Sequence, residues 1–148
     1  MAKMKVLFVC VHNSARSLMA EASLNRWGGD EFEVSSAGLS PGAPNPLVAE
    51  VMKDWGVDLS GRQGQSVFEL FRAGRLYDFV ISVCDEAMAE RCPVFPGITQ
   101  RLHWSFEDPS AFEGTLEEKL AKTRLLRDRI SETVQKWVEE LKVSSRIA

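Results

Sequence analysis

The stretch VLFVCVHNSARSLMAEA, from Val6 to Ala22, joins an apolar run to a segment with helical spacing, with a cysteine and an arginine near the junction. The run Lys5–Cys10 is short, apolar and rich in valine, which is typical of a strand buried on both faces. Apolar residues then recur near helical spacing over Arg16–Trp27, and Gly28 provides a stop. The stretch therefore predicts a buried strand that leads directly into a helix.

Strand-like and helix-like segments alternate through the rest of the chain. Further strands are predicted over Glu31–Ser36, Tyr77–Cys84 and Arg101–Trp104, and helices over Leu47–Trp55, Ser66–Ala73 and a long C-terminal segment from Leu116 to Leu141. Alternation of this kind predicts an α/β fold, a single domain over residues 1–148 with an open parallel sheet of about four strands and helices on both faces. Ligands of such sheets bind beyond the carboxyl ends of the strands, where Cys10 and Cys84 are expected.

Composition and charge restrict the class of protein. The chain has 148 residues, of which 45% are hydrophobic and 26% charged, and this is typical of a soluble globular domain. The net charge of −3 argues against a nucleic-acid binder, and no apolar run approaches the ~18 residues needed to cross a bilayer. Three cysteines are too few and odd in number for a secreted disulfide scaffold. We therefore predict a cytoplasmic protein, a monomer, without nucleic-acid or membrane partners.

The junction between the first strand and helix has the pattern C-x5-R-S, from Cys10 to Ser17, and predicts an oxyanion site. Successive backbone N–H groups can turn inward there, and Arg16 adds a planar fork of donors for two oxygens of the anion. The same positive surroundings favour the thiolate of Cys10, to which Ser17 can donate a hydrogen bond, so Cys10 is predicted to be a nucleophile. The predicted oxyanion-binding residues are Val11, His12, Asn13, Ser14, Ala15, Arg16 and Ser17. The competing interpretation is a buried structural cysteine beside a surface arginine.

The segment CVHNSARSLMAEA resembles the signature of the low-molecular-weight tyrosine phosphatase superfamily, and most of all its arsenate reductase branch. Ser36–Gly38 and Asp108-Pro109 are similar to two further motifs of this family, and the resemblance covers nearly the whole chain. Phosphatases of this group usually have a second cysteine in the loop and a proline after the arginine and serine, where this chain has Ala15 and Leu18. The resemblance implies a flavodoxin-like low-molecular-weight phosphatase fold, and Asp108 as the general acid.

The two remaining cysteines favour the reductase branch. Cys84 and Cys92 lie in VCDEAMAERCPVFP, which is similar to the segment that carries two resolving cysteines in thioredoxin-coupled arsenate reductases, although their spacing here is one residue longer. The resemblance implies that Cys10 attacks arsenate, Cys84 then attacks Cys10, and Cys92 attacks Cys84. Thioredoxin is the reductant that it implies, and glutathione with glutaredoxin is the alternative. The competing interpretation is that Cys84 fills a buried strand and Cys92 is an incidental thiol.

The seven residues between Cys84 and Cys92, DEAMAER, predict a short helix. Residues eight positions apart on a helix are separated by ~12 Å along its axis. A disulfide allows a separation of at most ~7 Å between its Cα atoms. We therefore expect this segment to unwind or loop out when Cys84 and Cys92 are oxidised.

Three further positions match residues that hold the loop conformation in the family: Asn13, Glu21 and Ser36. Some reductases of this branch bind a potassium ion near these residues. The aspartate expected to complete that site is not evident in SGRQGQS, residues 60–66, so we predict neither a metal nor a cofactor.

Two other functions stay open at the level of sequence. A low-molecular-weight phosphotyrosine phosphatase would share Cys10, Arg16 and Asp108 but would end its reaction with water and would need no second thiol. A non-enzymatic oxyanion-binding domain would leave the nucleophile, the arginine and the acid unused.

Overall fold

A computed structural model describes residues 3–147, and its centre is a sheet of four strands. Strand β1 (Met4–Cys10) pairs with β2 (Phe32–Gly38) on one side and with β3 (Phe79–Ser82) on the other, and β3 pairs with β4 (Gln100–His103). All three pairings are parallel, and the strand order is β2-β1-β3-β4. The predicted open parallel sheet of four strands is confirmed.

Helices cover both faces of this sheet. The α-helices of the described residues are α1 (Arg16–Gly28), α2 (Pro46–Met52), α3 (Val67–Arg72), α4 (Glu86–Ala89) and α5 (Leu116–Ile147), and 3-10 turns cover Gly29–Glu31, Lys53–Trp55 and Pro109–Ala111. Buried residues of α1, α2 and α5 share one core cluster, whereas α3 packs into a second one. Within residues 3–147, no helix combines the length and the apolar character that crossing a membrane requires.

The central strand β1 separates the two cores. Its side chains alternate, so Val6, Phe8 and Cys10 point into the cluster under α1 and α5, whereas Leu7 and Val9 point into the cluster under α3. All five side chains are buried, because a parallel strand in the middle of the sheet is covered on both sides. The apolar run in the sequence therefore corresponds to the buried part of the central strand.

Three predicted elements are shorter in the structure, and of these the predicted helix Ser66–Ala73 lacks only its two end residues in α3. The predicted strand Tyr77–Cys84 forms β3 only over Phe79–Ser82. Just before its start, the carboxylate of Asp78 accepts a hydrogen bond from the Lys5 backbone N–H at 2.8 Å. Cys84 consequently lies two residues past the end of β3. The predicted helix Leu47–Trp55 is α2 followed by a 3-10 turn.

Candidate active site

Carbonyl groups of the loop between β1 and α1 accept backbone hydrogen bonds from the segment that follows β2. Hydrogen bonds of 2.7–3.1 Å run from the backbone N–H groups of Leu39, Ser40, Gly42 and Asn45 to the carbonyls of Cys10, Val11, His12 and Ser14, respectively. In a trans peptide the N–H points away from the C=O of the same peptide group. The N–H groups of Val11, His12, Asn13 and Ala15 therefore face the opposite side of the loop, as an oxyanion site requires.

Gly38 ends β2 directly behind this loop. A Cβ atom at this position would lie 2.6 Å from the Asn13 backbone nitrogen and 2.8 Å from the carbonyl carbon of His12. Both neighbours are backbone atoms that cannot turn aside, so only glycine allows the two chains to approach this closely. The last residue of the Ser36–Gly38 motif thus sets the position of the loop from Val11 to Ala15, which we call the anion loop.

We predict that Gly38→Ala displaces the loop and weakens the binding of oxyanions. The added methyl group must push the backbone at Asn13 away, and overpacking of this kind costs about 1–3 kcal/mol of stability. Calorimetric titration with phosphate should show a weaker affinity, and thermal unfolding should show a lower Tm. Gly42→Ala is the matched control, because a Cβ atom there meets nothing within 4 Å. An unchanged phosphate affinity in Gly38→Ala would contradict the prediction.

The sulfur of Cys10 lies at the start of the loop and is almost fully buried. The hydroxyl of Ser17 is 2.8 Å from this sulfur and also accepts a hydrogen bond from Asn13 Nδ2 at 2.9 Å. Because Asn13 donates to the hydroxyl oxygen, the hydroxyl hydrogen of Ser17 is available to Cys10. Asn13 has a left-handed backbone with φ of 51°, which asparagine tolerates better than most residues.

Arg16 is buried in the first turn of α1 and faces two carboxylates. Its Nη1 donates to the carbonyl of Phe106 at 3.1 Å and lies 3.9 Å from Asp85 Oδ1, whereas its Nη2 lies 3.8 Å from Asp108 Oδ2. The guanidinium is thereby held next to Asp108, the residue that the sequence analysis gives as the general acid. Asp85, the exposed residue after Cys84, was not among the predicted site residues.

Asp108 lies in front of the 3-10 turn Pro109–Ala111 and caps it. Its Oδ1 accepts hydrogen bonds from the backbone N–H (2.9 Å) and the hydroxyl (2.8 Å) of Ser110. Partial burial alone would raise the pKa of Asp108, but these hydrogen bonds and the positive charge of Arg16 outweigh it and hold the pKa below its usual value. Without an anion in the loop, Asp108 is therefore a carboxylate at neutral pH.

Cys84 and Cys92 lie in different cores. Cys84 is fully buried and shares the cluster of Cys10, whereas Cys92 packs with Leu7, Val9 and Val80 on the opposite face of the sheet. Burial raises the pKa of the Cys84 thiol to about 11, although the charge of Arg16 acts against this rise. Burial raises the pKa of Cys92 as well.

The predicted short helix between these two cysteines is present, but its regular part is brief. Helix α4 covers only Glu86–Ala89, and a further turn closes with a hydrogen bond from the Cys92 N–H to the Ala89 carbonyl at 3.1 Å. The described cysteines are all reduced. The structure thus shows the thiol form, in which Cys84 and Cys92 pack into different cores.

The predicted loop-supporting residues fall into two groups. Ser36 donates to Glu21 Oε1 at 2.9 Å, whereas Asn13 contacts Ser17. Two residues that sequence reasoning missed bind these groups. Arg62 contacts Glu21 and Ser36, and Gln65 contacts Asn13 and Ser36.

His12, one of the predicted oxyanion-binding residues, is exposed, and its Nδ1 donates to the Ser40 carbonyl at 2.9 Å.

The loop from Val11 to Ala15, helix α1 and the turn Pro109–Ala111 all lie within the part of the chain that matches a known family. Residues 5–146 match the family described as low molecular weight phosphotyrosine protein phosphatase, and the chain belongs to this family. An arsenate reductase of Halalkalibacterium halodurans is 38% identical over 140 residues, which cover 94% of this chain and 98% of that protein.

Solved structures of reductases have the same fold. The thioredoxin-dependent arsenate reductase of Corynebacterium glutamicum has a TM-score of 0.67 and 28% identity, and the match covers 96% of this chain. This chain spans only 63% of that longer chain. A structure of an arsenate reductase in the oxidized state has a TM-score of 0.74 and 28% identity, with 92% of this chain and 97% of that chain covered.

Proposed function

We propose that the chain is an arsenate reductase that works through a relay of three cysteines. The observation that carries this proposal is the position of Cys84, a second thiol buried in the same core as Cys10 and close enough to Arg16 and Cys10 for both to affect its ionisation. A phosphatase of this fold completes its reaction with water and needs no such thiol. The identity to proteins named arsenate reductase supports the same conclusion.

In the first step the Cys10 thiolate attacks the arsenic of arsenate. The loop N–H groups and the Arg16 guanidinium bind the arsenate oxygens, and Ser17 donates its hydrogen bond to the sulfur. A sulfur–arsenic bond forms, and one arsenic–oxygen bond breaks with transfer of a proton to the departing oxygen. Asp108 delivers this proton. The negative charge of bound arsenate raises the proton affinity of the neighbouring carboxylate and competes with it for Arg16.

In the second step Cys84 attacks the sulfur of Cys10. The electron pair of the sulfur–arsenic bond passes to arsenic, so As(V) becomes As(III), and the two thiols become a Cys10–Cys84 disulfide. Because the pKa of Cys84 is about 11, its thiol is protonated at neutral pH and must lose its proton as it attacks. The positive charge of Arg16 favours that loss.

In the third step Cys92 attacks Cys84, which frees Cys10 and leaves a Cys84–Cys92 disulfide. Cys92 must leave the core on the opposite face of the sheet to reach Cys84, so the segment that contains α4 has to unwind. A cleft of about 340 Å³ beside Cys92 opens between α4 and the residues Arg101 and His103 of β4. Thioredoxin then reduces the exposed disulfide, in a reducing compartment such as the cytoplasm.

We predict that Cys92→Ser completes about one turnover and then stalls as the Cys10–Cys84 disulfide. Arsenite release is measured in multi-turnover assays with thioredoxin and thioredoxin reductase, and the disulfide is identified by peptide mass spectrometry. Assays with glutathione and glutaredoxin run in parallel, because that pair could reduce the Cys10–Cys84 disulfide directly. Sustained thioredoxin-driven turnover by Cys92→Ser would remove Cys92 from the relay.

A further inference from the structure

Behind the anion loop, a buried carboxylate is bound by an arginine from a distant part of the chain. Arg62 donates from Nη1 to Glu21 Oε2 at 2.5 Å and from Nη2 to Glu21 Oε1 at 2.8 Å. The same Nη2 lies 3.1 Å from the hydroxyl oxygen of Ser36, which itself donates to Glu21. The three side chains thus form a closed cluster that joins α1 to β2.

The cluster needs a positive charge. Glu21 and Ser36 are both buried, and a buried carboxylate is costly unless an opposite charge and hydrogen bonds compensate it. The hydrogen bonds to Glu21 raise the pKa of Arg62 above its ordinary value, by more than partial burial lowers it. Arg62 therefore stays charged at neutral pH, and it supplies the missing charge.

The residues present do not fit a potassium ion of the kind that some reductases of this branch hold near these positions. Such an ion binds through carboxylate and hydroxyl oxygens. Here the guanidinium engages both carboxylate oxygens of Glu21 and the hydroxyl of Ser36. The positive charge at this position is therefore that of the Arg62 side chain.

A continuous series of hydrogen bonds leads from the Arg62 segment to the nucleophile. Three residues after Arg62, Gln65 donates from Nε2 to the Ser36 carbonyl (3.1 Å) and from its backbone N–H to Asn13 Oδ1 (3.0 Å). Asn13 donates to Ser17, and Ser17 contacts the Cys10 sulfur at 2.8 Å. The segment that Arg62 anchors therefore also fixes the asparagine that orients Ser17.

We infer that Arg62 is a positioning residue, an internal cation that neutralises Glu21 and holds the segment through which Asn13 and Ser17 are oriented toward Cys10. This inference rests on the proposed function only in the choice of arsenate as substrate. Two consequences follow. Loss of Arg62 lowers the reactivity of Cys10 more than the binding of the anion, because Arg16 and the loop N–H groups remain. The wild-type protein also needs no added monovalent cation.

The test compares Arg62→Ala with Arg62→Lys and with Arg127→Gln. We expect kcat for arsenate to fall between about ten- and a hundredfold in Arg62→Ala with a much smaller change in KM, and to fall less in Arg62→Lys. Arg127→Gln removes a different arginine, which is itself buried and pairs with Asp54 in the 3-10 turn after α2, and it should lower Tm without changing kcat. Low millimolar guanidinium chloride should restore part of the activity of Arg62→Ala but not change that of the wild type.

Alkylation of Cys10 by iodoacetamide, followed by peptide mass spectrometry, gives a readout that does not depend on arsenate reduction. The rate should fall in Arg62→Ala and recover with guanidinium, while phosphate binding changes little. If the wild type fails to reduce arsenate, the proposed function is wrong, whereas the alkylation rates still test Arg62. If Arg62→Ala does not fold without guanidinium, Arg62→Lys carries the measurement. The inference would be overturned if the folded Arg62 variants had the same alkylation rate and kcat as the wild type. It would also be overturned if potassium chloride activated the wild type relative to choline chloride at equal ionic strength.

Discussion

Replacing Cys10 with serine is expected to abolish arsenate reduction while the oxyanion still binds. A serine hydroxyl at this position is a far weaker nucleophile than a thiolate, and loss of a catalytic nucleophile typically costs on the order of 10⁴-fold or more. Binding persists because its donors are other groups: Arg16 and the N–H groups of the loop, which the bonds to residues 39–45 hold in place. Arsenite release measures the first property, and calorimetric titration with phosphate measures the second.

The control for this experiment is Cys92→Ser, which also replaces a buried thiol with a hydroxyl. In a single-turnover assay it should release arsenite at close to the wild-type rate, because Cys92 acts only after arsenite has left. The two variants together separate the chemistry of the nucleophile from the general cost of placing serine in a core. A Cys10→Ser protein that reduced arsenate at the wild-type rate would refute the assignment of Cys10.

The anion loop could be predicted from sequence because its parts are local. Cys10, Arg16 and Ser17 fall within eight residues, between an apolar strand and a helix, so their chemistry follows from the pattern alone. The parallel sheet could be predicted for a similar reason, since the alternation of strands and helices leaves few other arrangements.

The support behind the loop could not be predicted in the same way. Arg62 meets Glu21 across 41 positions of the chain, and Gln65 meets Asn13 across 52. The segment SGRQGQS, which contains both, has only the glycine and polar composition of a turn. Turn composition indicates where the chain bends, but it does not indicate which residues the side chains of the turn contact. Those contacts depend on how β2 and α3 pack.

The position of Cys92 was unpredictable for a different reason. A short helix could be predicted between Cys84 and Cys92, but not that the turn after it places Cys92 beneath the other face of the sheet. The face depends on the direction in which the chain leaves β3, and a segment of a few residues contains no periodic pattern that specifies it. Oxidation of this pair therefore requires Cys92 to leave its core, which helical spacing alone does not indicate.

Replacing Cys84 with serine is expected to separate the reductase from a phosphatase of the same fold. Arsenate reduction should fall below detection, because no thiol remains in the core beside Cys10 to attack the arsenic adduct and release arsenite. Hydrolysis of an aryl phosphate, a weak side activity expected from the shared loop, should continue, because it uses Cys10, Arg16, Asp108 and water. Both reactions are measured on the same preparation, so a folding defect would lower them together.

The two possible outcomes of this comparison support different enzymatic functions for the chain. Loss of arsenate reduction with retained aryl phosphate hydrolysis shows that the anion loop and the acid are intact and that the missing function is the resolving thiol. If both activities survive unchanged, Cys84 is only a buried core residue, which its complete burial would equally allow. The alternative of a phosphotyrosine phosphatase would then gain support, and Cys92 would have no Cys10–Cys84 disulfide to attack.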